Sequence, residues 1–147
     1  MLIPLNGAFP ADKTIAGIHS IPVAEDGSIV FVWDKYEKAL TTVGGRLDSN
    51  EDIDAALDRE TMEEAGIVLE ARRIPFAAWY WESTDTFTVF VMARIREYRE
   101  LPEGFETTGR VAMNLETARE LITTLEGDGL RLQLLALVEP LYAREFK

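Results

Sequence analysis

Three glutamates, Glu60, Glu63 and Glu64, are spaced so that one helical turn would bring them together. On a helix their Cβ atoms would be roughly 5–6 Å apart, and each charged pair would repel by about 3 kcal/mol at an effective dielectric of about 20. A partly buried cluster of this kind therefore needs a cation. Carboxylate oxygens are hard ligands that suit Mg²⁺, Mn²⁺ or Ca²⁺ rather than zinc, and Mg²⁺ commonly shares them with substrate phosphates.

The surrounding residues are needed to interpret this triplet, because an isolated acidic triplet is more often a solvated helix face. Arg59 lies one helical turn before Glu63 and can orient its carboxylate through a charge-assisted hydrogen bond. The segment 44–67 contains eight acidic and two basic residues, so it carries −6 of the chain's net charge of −11. The sequence thus concentrates more than half of its excess charge around the candidate metal site.

A helix is expected to present these side chains. Ser49 or Asn50 is a suitable N-cap, and Gly66 is placed to end the helix in a left-handed conformation. We predict a helix of roughly four turns that begins near Glu51 and follows a turn at the glycine pair 44–45.

The predicted helix has an apolar stripe that becomes acidic along its length. Ile53, Ala56 and Leu57 share one face, and the same face continues into Glu60 and Glu64. Glu63 flanks that stripe, so the three carboxylates are expected to converge within about one turn.

The complete segment Gly45–Ile67 resembles the Nudix box of the Nudix hydrolase family. The matching pattern is Gly45, five residues, Glu51, seven residues, Arg59-Glu60, two residues, Glu63-Glu64, one residue, and Gly66-Ile67. Thr61 departs from it, because the family usually has a bulky aliphatic residue there. Val43, just outside the box, replaces a frequent proline. Neither departure changes a predicted ligand, so they bear on loop rigidity and helix packing.

The resemblance implies a fold, a cofactor and roles for individual residues. It implies an α/β/α sandwich with a mixed β-sheet between helices, and an Mg²⁺ cofactor for which Mn²⁺ could substitute. The length of 147 residues and the hydrophobic composition of 47% independently predict that residues 1–147 form a single domain. The implied residue roles are catalysis for Arg59, Glu60, Glu63 and Glu64, metal binding for Glu60, Glu63, Glu64 and the Gly45 carbonyl oxygen, and structural support of the box for Glu51 and Gly66.

Hydrolysis also needs a group that accepts a proton from the attacking water. The family takes it from the box or from a later loop, where Glu97, Glu100, Glu103 and Glu106 are available. We rank Glu106 first, because it lies closest before the predicted short strand 110–113.

Substrate binding is assigned to Arg46 and Trp81. Trp81 lies near the end of a predicted strand, where an exposed ring can stack a nucleobase with roughly 1–3 kcal/mol of stabilisation. Alternation along that strand places Trp79 on the same face as Trp81 and Tyr80 on the other. The only histidine, His19, falls within a predicted strand and is expected to be structural.

The rest of the chain is expected to supply the sheet and two further helices. Prolines predict an irregular lead-in before residue 14, a break near Pro75, and a kink or end of the last helix at Pro140. The predicted strands are 14–23, 28–33, 68–73, 76–82, 86–95 and 110–113, a polar loop covers 34–42, and the predicted helices are 115–125, capped by Asn114, and 130–138.

Composition excludes several classes of function. The net charge of −11 argues against binding to nucleic acid polymers or anionic membranes. The absence of cysteine excludes disulfides and thiolate metal sites. No signal peptide or membrane span is evident, so we expect a soluble cytoplasmic protein, with a homodimer through an edge strand left open.

We therefore predict a metal-dependent hydrolase that cleaves the pyrophosphate linkage of a nucleoside diphosphate derivative. By default the substrate is a nucleoside triphosphate or a modified one, which would give monophosphate and pyrophosphate. The alternatives are an ADP-ribose or nucleotide-sugar pyrophosphatase and a non-catalytic Nudix-fold nucleotide-binding module. An EF-hand calcium loop beginning at Asp48 fails, because its sixth and twelfth positions are Ile53 and Arg59.

Overall fold

The computed structural model describes residues 1–147, in which eight strands form one mixed sheet flanked by three helices. The strands are β1 (Leu2–Pro4), β2 (Thr14–Val23), β3 (Ile29–Asp34), β4 (Ala39–Thr41), β5 (Val43–Arg46), β6 (Ile67–Trp81), β7 (Thr86–Tyr98) and β8 (Thr107–Met113). The helices are α1 (Ile53–Ala65), α2 (Leu115–Glu126) and α3 (Leu130–Glu145).

The sheet is organised around β2. Its main path runs β1-β6-β7-β2-β3-β4, with β5 paired to β2 and β8 paired to β3. Strands β2 and β7 are parallel, with Thr14 opposite Thr86 and Val23 opposite Arg94. The other pairs are antiparallel, including the β2–β5 pair that places Gly45 opposite Ile18.

Alternating side chains divide the apolar residues between two cores, one on each face of the sheet. On β7, Phe90 and Met92 join one core, whereas Val89 and Val91 join the other. Helices α2 and α3 cover the first core, and Ala56 of α1 packs into the second. The predicted α/β/α sandwich with a mixed sheet is therefore confirmed.

The start of α1 differs from the prediction. The glycine pair lies in β5 rather than in a turn, and the N-cap is Asp52, whose side chain accepts a hydrogen bond from the Ala55 N–H at 3.4 Å. A Cβ on Gly44 would lie 2.2 Å from the Ile18 carbonyl oxygen, so the glycine allows β5 to approach β2. Gly66 ends the helix at φ 63°, as predicted.

Prolines interrupt the structure less than the sequence suggests. Pro4 belongs to β1, which lies at the edge of the sheet, where a strand tolerates proline. Strand β6 runs through Pro75, with an irregular register between Pro75 and Ala77. Helix α3 continues past Pro140, and the burial of Leu141 beyond it favours continuation over local helix propensity.

Two loops contain more regular structure than predicted, whereas the capping of α2 follows the sequence. The segment 34–42 includes β4, and β8 begins at Thr107 rather than at residue 110. Asn114 caps α2 by accepting a hydrogen bond from the Thr117 N–H at 2.8 Å. None of the helices is both long and apolar enough to span a membrane.

Candidate active site

Strand β5 and helix α1 meet at the glycine pair. Glu64 Oε1 accepts a hydrogen bond from the Gly44 N–H at 2.7 Å. A Cβ on Gly45 would lie 2.7 Å from the carboxyl carbon of Glu60. The Glu60 carboxylate therefore occupies the space that a side chain at position 45 would fill, and we call this space the Gly45 cradle.

Arg59 connects the acidic residues of this motif. Its Nε donates to Glu51 Oε2 at 2.8 Å and its Nη2 donates to Glu51 Oε1 at 2.9 Å, a bidentate ion pair. Its Nη1 donates to Glu60 at 3.0 Å and to Glu63 at 3.2 Å, and Nη2 also reaches the Arg46 carbonyl oxygen at 3.1 Å. The hydrogen bonds from Arg59 lower the pKa of Glu51 to about 2.

The three carboxylates do not converge on one point, contrary to the simple helical-wheel expectation. Glu60 and Glu63 turn toward Arg59, whereas Glu64 turns toward Gly44, and no group of three such side chains is arranged to hold a metal ion. The donor set still suits a hard divalent cation, because it consists of carboxylate oxygens beside the Gly45 cradle. Arg59 contacts one oxygen of Glu60 and one oxygen of Glu63, so the second oxygen of each carboxylate is not engaged by the guanidinium.

The electrostatics of this face favour the arrival of positive charge. Burial raises the pKa of Glu64 to about 7, and the neighbouring carboxylates of Glu60, Glu106 and Asp34 add to that effect. Burial also raises the pKa of Glu60, although Arg59 opposes the shift. A bound cation would reverse both tendencies, because it stabilises the ionised form of each carboxylate.

A cavity of about 310 Å³ opens beside Glu64. Its wall includes Glu64, Glu106 and Trp81, which are far apart in the sequence. Arg46 is not in its wall, so the cavity gives no support to the predicted substrate contact. The lining residues are His19, Asp34, Glu37, Thr41, Thr42, Gly44, Glu64, Trp79, Trp81, Thr88, Phe90, Glu106, Leu130 and Arg131.

Two tryptophans form an aromatic part of this wall. Trp79 and Trp81 lie on the same face of β6, as predicted, and their rings are edge to face with centroids 6.2 Å apart. The Trp81 Nε1–H donates to Thr88 Oγ1 at 2.8 Å, and 48% of the residue is exposed. Tyr80 contacts Phe87 on the opposite face. Trp81 therefore has a fixed orientation and a free surface.

Sequence reasoning missed part of the cavity. His19, which we predict to be structural, also lines the wall, with Nδ1 2.8 Å from Thr42 Oγ1 and its ring 5.5 Å from that of Phe90. Burial lowers the pKa of His19 to about 4, so the imidazole is neutral at pH 7. Arg131 enters from the start of α3. No local pattern could have indicated either residue, because both reach the cavity through long-range packing.

Glu106 is distinguished from the other glutamates near its loop. It is exposed, forms no ion pair, and lines the cavity with Glu64. Glu97 is instead paired with Arg99 at 3.1 Å. Glu100 and Glu103 are not part of the cavity wall.

A second cavity, of about 370 Å³, lies between β1, β6 and α3. Although it is somewhat larger, its wall contains no residue of the Gly45–Ile67 motif and only one acidic residue, Glu145. The chemistry of the acidic motif therefore identifies the smaller cavity as the candidate active site.

The chain is similar to a known protein family and to several solved structures. A family model described as the NUDIX domain matches residues 14–129. No curated protein matches the sequence. Among solved structures, a Bacillus subtilis pyrophosphohydrolase, BsRppH, superimposes with a TM-score of 0.74 at 15% identity, covering 99% of this chain and 92% of that chain.

Two other solved structures are similar. An Ap4A hydrolase from C. elegans gives a TM-score of 0.64 at 17% identity, covering 87% of this chain and 98% of that chain. An ADP-ribose pyrophosphatase from Streptococcus suis gives 0.63 at 20% identity, covering 89% of this chain and 92% of that chain. At these identities the similarity establishes a shared fold.

Proposed function

This chain belongs to the NUDIX hydrolase family, and from that premise we propose that it cleaves the pyrophosphate linkage of a nucleoside triphosphate or a modified one. The products would be a nucleoside monophosphate and pyrophosphate. The observation that carries the proposal is the single cavity that contains Glu64, Glu106 and the exposed ring of Trp81. It offers carboxylates for the reacting end of a nucleotide and an aromatic surface for the base.

We propose Mg²⁺ as the cofactor, with Mn²⁺ as a substitute, held by Glu60, Glu63, Glu64 and the Gly45 carbonyl oxygen. When bound, the ion would neutralise phosphate charge and lower the pKa of a coordinated water. Arg59 would hold the motif together through Glu51 and orient the neighbouring carboxylates.

Two further roles, acceptance of the water proton and binding of the nucleobase, are proposed for residues that line the cavity. Glu106 would accept the proton of the attacking water, because its carboxylate has no cationic partner and faces the same cavity as Glu64. Trp81 would stack the nucleobase, fixed by its hydrogen bond to Thr88.

Two other substrate classes could be cleaved by the same chemistry. ADP-ribose and nucleotide sugars also contain a pyrophosphate linkage, and one similar structure is named as an ADP-ribose pyrophosphatase. A non-catalytic nucleotide-binding module is disfavoured, because the three box glutamates and Arg59 are all present. We also propose that residues 1–147 form one domain, since a single sheet supports all three helices.

The test is a hydrolysis assay with and without Mg²⁺. The panel contains nucleoside triphosphates, oxidised nucleoside triphosphates, ADP-ribose, nucleotide sugars and dinucleoside polyphosphates. Glu64→Gln is assayed in parallel, because it removes a ligand charge while it retains the shape of the side chain. Glu120→Gln is the matched control, since Glu120 is exposed on α2, away from the cavity.

We expect Mg²⁺-dependent release of pyrophosphate from one class of triphosphate, a loss of about 100-fold or more in Glu64→Gln, and no change in Glu120→Gln. Hydrolysis of ADP-ribose or a nucleotide sugar alone would transfer the assignment to that class. Equal turnover by wild type and Glu64→Gln would refute the assignment of the site, provided that both proteins show the same folded spectrum.

A further inference from the structure

We propose that Thr107 is a positioning residue that fixes Glu106 beside Glu64 for hydrolysis. The inference rests on the proposed function, in which Glu106 accepts the proton of the attacking water. Glu106 precedes Thr107 directly, so whatever fixes the backbone at Thr107 also limits the positions of the Glu106 carboxylate.

The first support is a buried hydrogen bond between β8 and α1. Thr107 is 2% exposed, and its hydroxyl donates to the Glu64 carbonyl oxygen at 2.7 Å. That carbonyl lies in the last turn of α1, where the helix has no N–H partner to offer it. The hydroxyl thus attaches the strand that follows Glu106 to the residue whose carboxylate faces the same cavity.

The second support is a backbone bond at Glu106 itself. The Lys35 N–H donates to the Glu106 carbonyl oxygen at 3.0 Å, and Thr107 pairs with Asp34 in the β3–β8 ladder. The backbone of Glu106 is therefore held from two sides. Its carboxylate has no ion pair and stays exposed to the cavity. A proton acceptor requires this combination, because small errors in its position reduce the rate of proton transfer.

A purely structural cap would have different consequences. If the hydroxyl served only to satisfy the end of α1, its removal would lower stability without a specific effect on the step that needs Glu106. A positioning role predicts instead that the effects of Thr107 and Glu106 substitutions on kcat overlap, since both act on the same proton transfer.

The experiment compares wild type with Thr107→Val, Thr107→Ser, Glu106→Gln and the double variant Thr107→Val/Glu106→Gln on the substrate found in the hydrolysis panel. Valine keeps the shape of threonine without the hydroxyl, and serine keeps the hydroxyl. We expect Thr107→Val to lower kcat about 10-fold with KM within about twofold of wild type, and Thr107→Ser to retain most of the rate. In the Glu106→Gln background, Thr107→Val should have little further effect.

Amide hydrogen exchange at Lys35 reports the position of Glu106 independently of activity. Exchange should accelerate in Thr107→Val and stay slow in Thr107→Ser, because the Lys35 N–H bonds to the Glu106 carbonyl. If Thr107→Val does not fold, Thr107→Ala replaces it in both measurements. Thermal unfolding of every variant is recorded first.

An unchanged kcat in a folded Thr107→Val enzyme would overturn the inference, as would an equal further loss of rate in the Glu106→Gln background. The absence of hydrolysis by wild type on the whole panel is a different result, which would refute the proposed function instead.

Discussion

Burial shifts the pKa of two side chains in the cavity, His19 and Glu64. The imidazole of His19 bonds to Thr42 and packs beside Phe90, and burial lowers its pKa from 6.5 to about 4. The charge of Arg131 in the same wall adds to this effect. The carboxylates of Asp34, Glu37, Glu64 and Glu106 face the same cavity.

We predict that His19 makes the protein less stable in acid. The unfolded chain takes up a proton on this imidazole near pH 6.5, whereas the folded protein does so only near pH 4. The unfolded state therefore binds more protons between these values, and the free energy of unfolding falls as the pH decreases through that window, by roughly 1–3 kcal/mol from this residue. Denaturant unfolding at several pH values measures the change.

His19→Asn is the matched variant for that measurement, because its amide can still bond to Thr42 but does not titrate. Its stability should fall less than that of wild type between pH 6.5 and pH 4. Parallel pH profiles for the two proteins would show that the imidazole is not the titrating group.

At the scale of elements, the packing of α1 on β2 explains how Thr61 can stand where the Nudix box usually has a bulky aliphatic residue. Both Ser20 and Thr61 have 0% exposure, and their hydroxyl oxygens are 3.3 Å apart. A polar residue on the buried face of α1 is therefore matched by a polar residue on β2. This pairing compensates for the absence of the bulky aliphatic side chain that the family usually has there.

We predict that the two hydroxyls are energetically coupled. Thr61→Val should lower the free energy of unfolding by about 1–2 kcal/mol, because it leaves the buried Ser20 hydroxyl without a partner. Ser20→Ala should have a similar effect, and the double variant Ser20→Ala/Thr61→Val should be clearly more stable than the sum of the two losses indicates. Chemical denaturation of the four proteins gives the coupling energy, and strict additivity would contradict the pairing.

For the whole molecule, the dominant property is the net charge of −11, concentrated around one site. Repulsion among these charges opposes the compact state, and a divalent cation that binds only the folded protein shifts the equilibrium toward it. The segment 44–67 carries −6 of this charge. A specific ion would thus stabilise the protein more than general screening does.

We expect millimolar Mg²⁺ or Mn²⁺ to raise the melting temperature by several degrees more than NaCl of equal ionic strength, since a ligand at about 100 times its Kd contributes about 2.7 kcal/mol. The extra rise should be absent from the double variant Glu60→Gln/Glu64→Gln. Equal effects of the divalent salt and NaCl on wild type would argue against a specific site on α1.

The local pattern determined the elements whose signals lie close together in the chain. Short-range spacing and alternation predicted strand Thr14–Val23, the C-terminal end of α1 at Gly66 and the start of α2 at Asn114. The order of the elements along the chain and the family resemblance predicted the sheet with helices on both faces. The acidic motif likewise identified the family, because its residues lie within a few helical turns of one another. Local propensity failed at Pro75 and Pro140, where packing of the sheet and core favours continuation.

Tertiary structure alone decided the composition of the cavity. Pairing of β2 with β5 brings His19 to the glycine pair, the β3–β8 ladder brings Glu106 beside Glu64, and α3 contributes Arg131. Which residues come together in the cavity depends on which strands pair and in what register. The pairing and register in turn depend on burying the apolar side chains on both faces of the sheet at once. No short segment of the sequence specifies this long-range pairing. The sequence therefore determined the chemistry of the motif, whereas the fold determined which residues surround it.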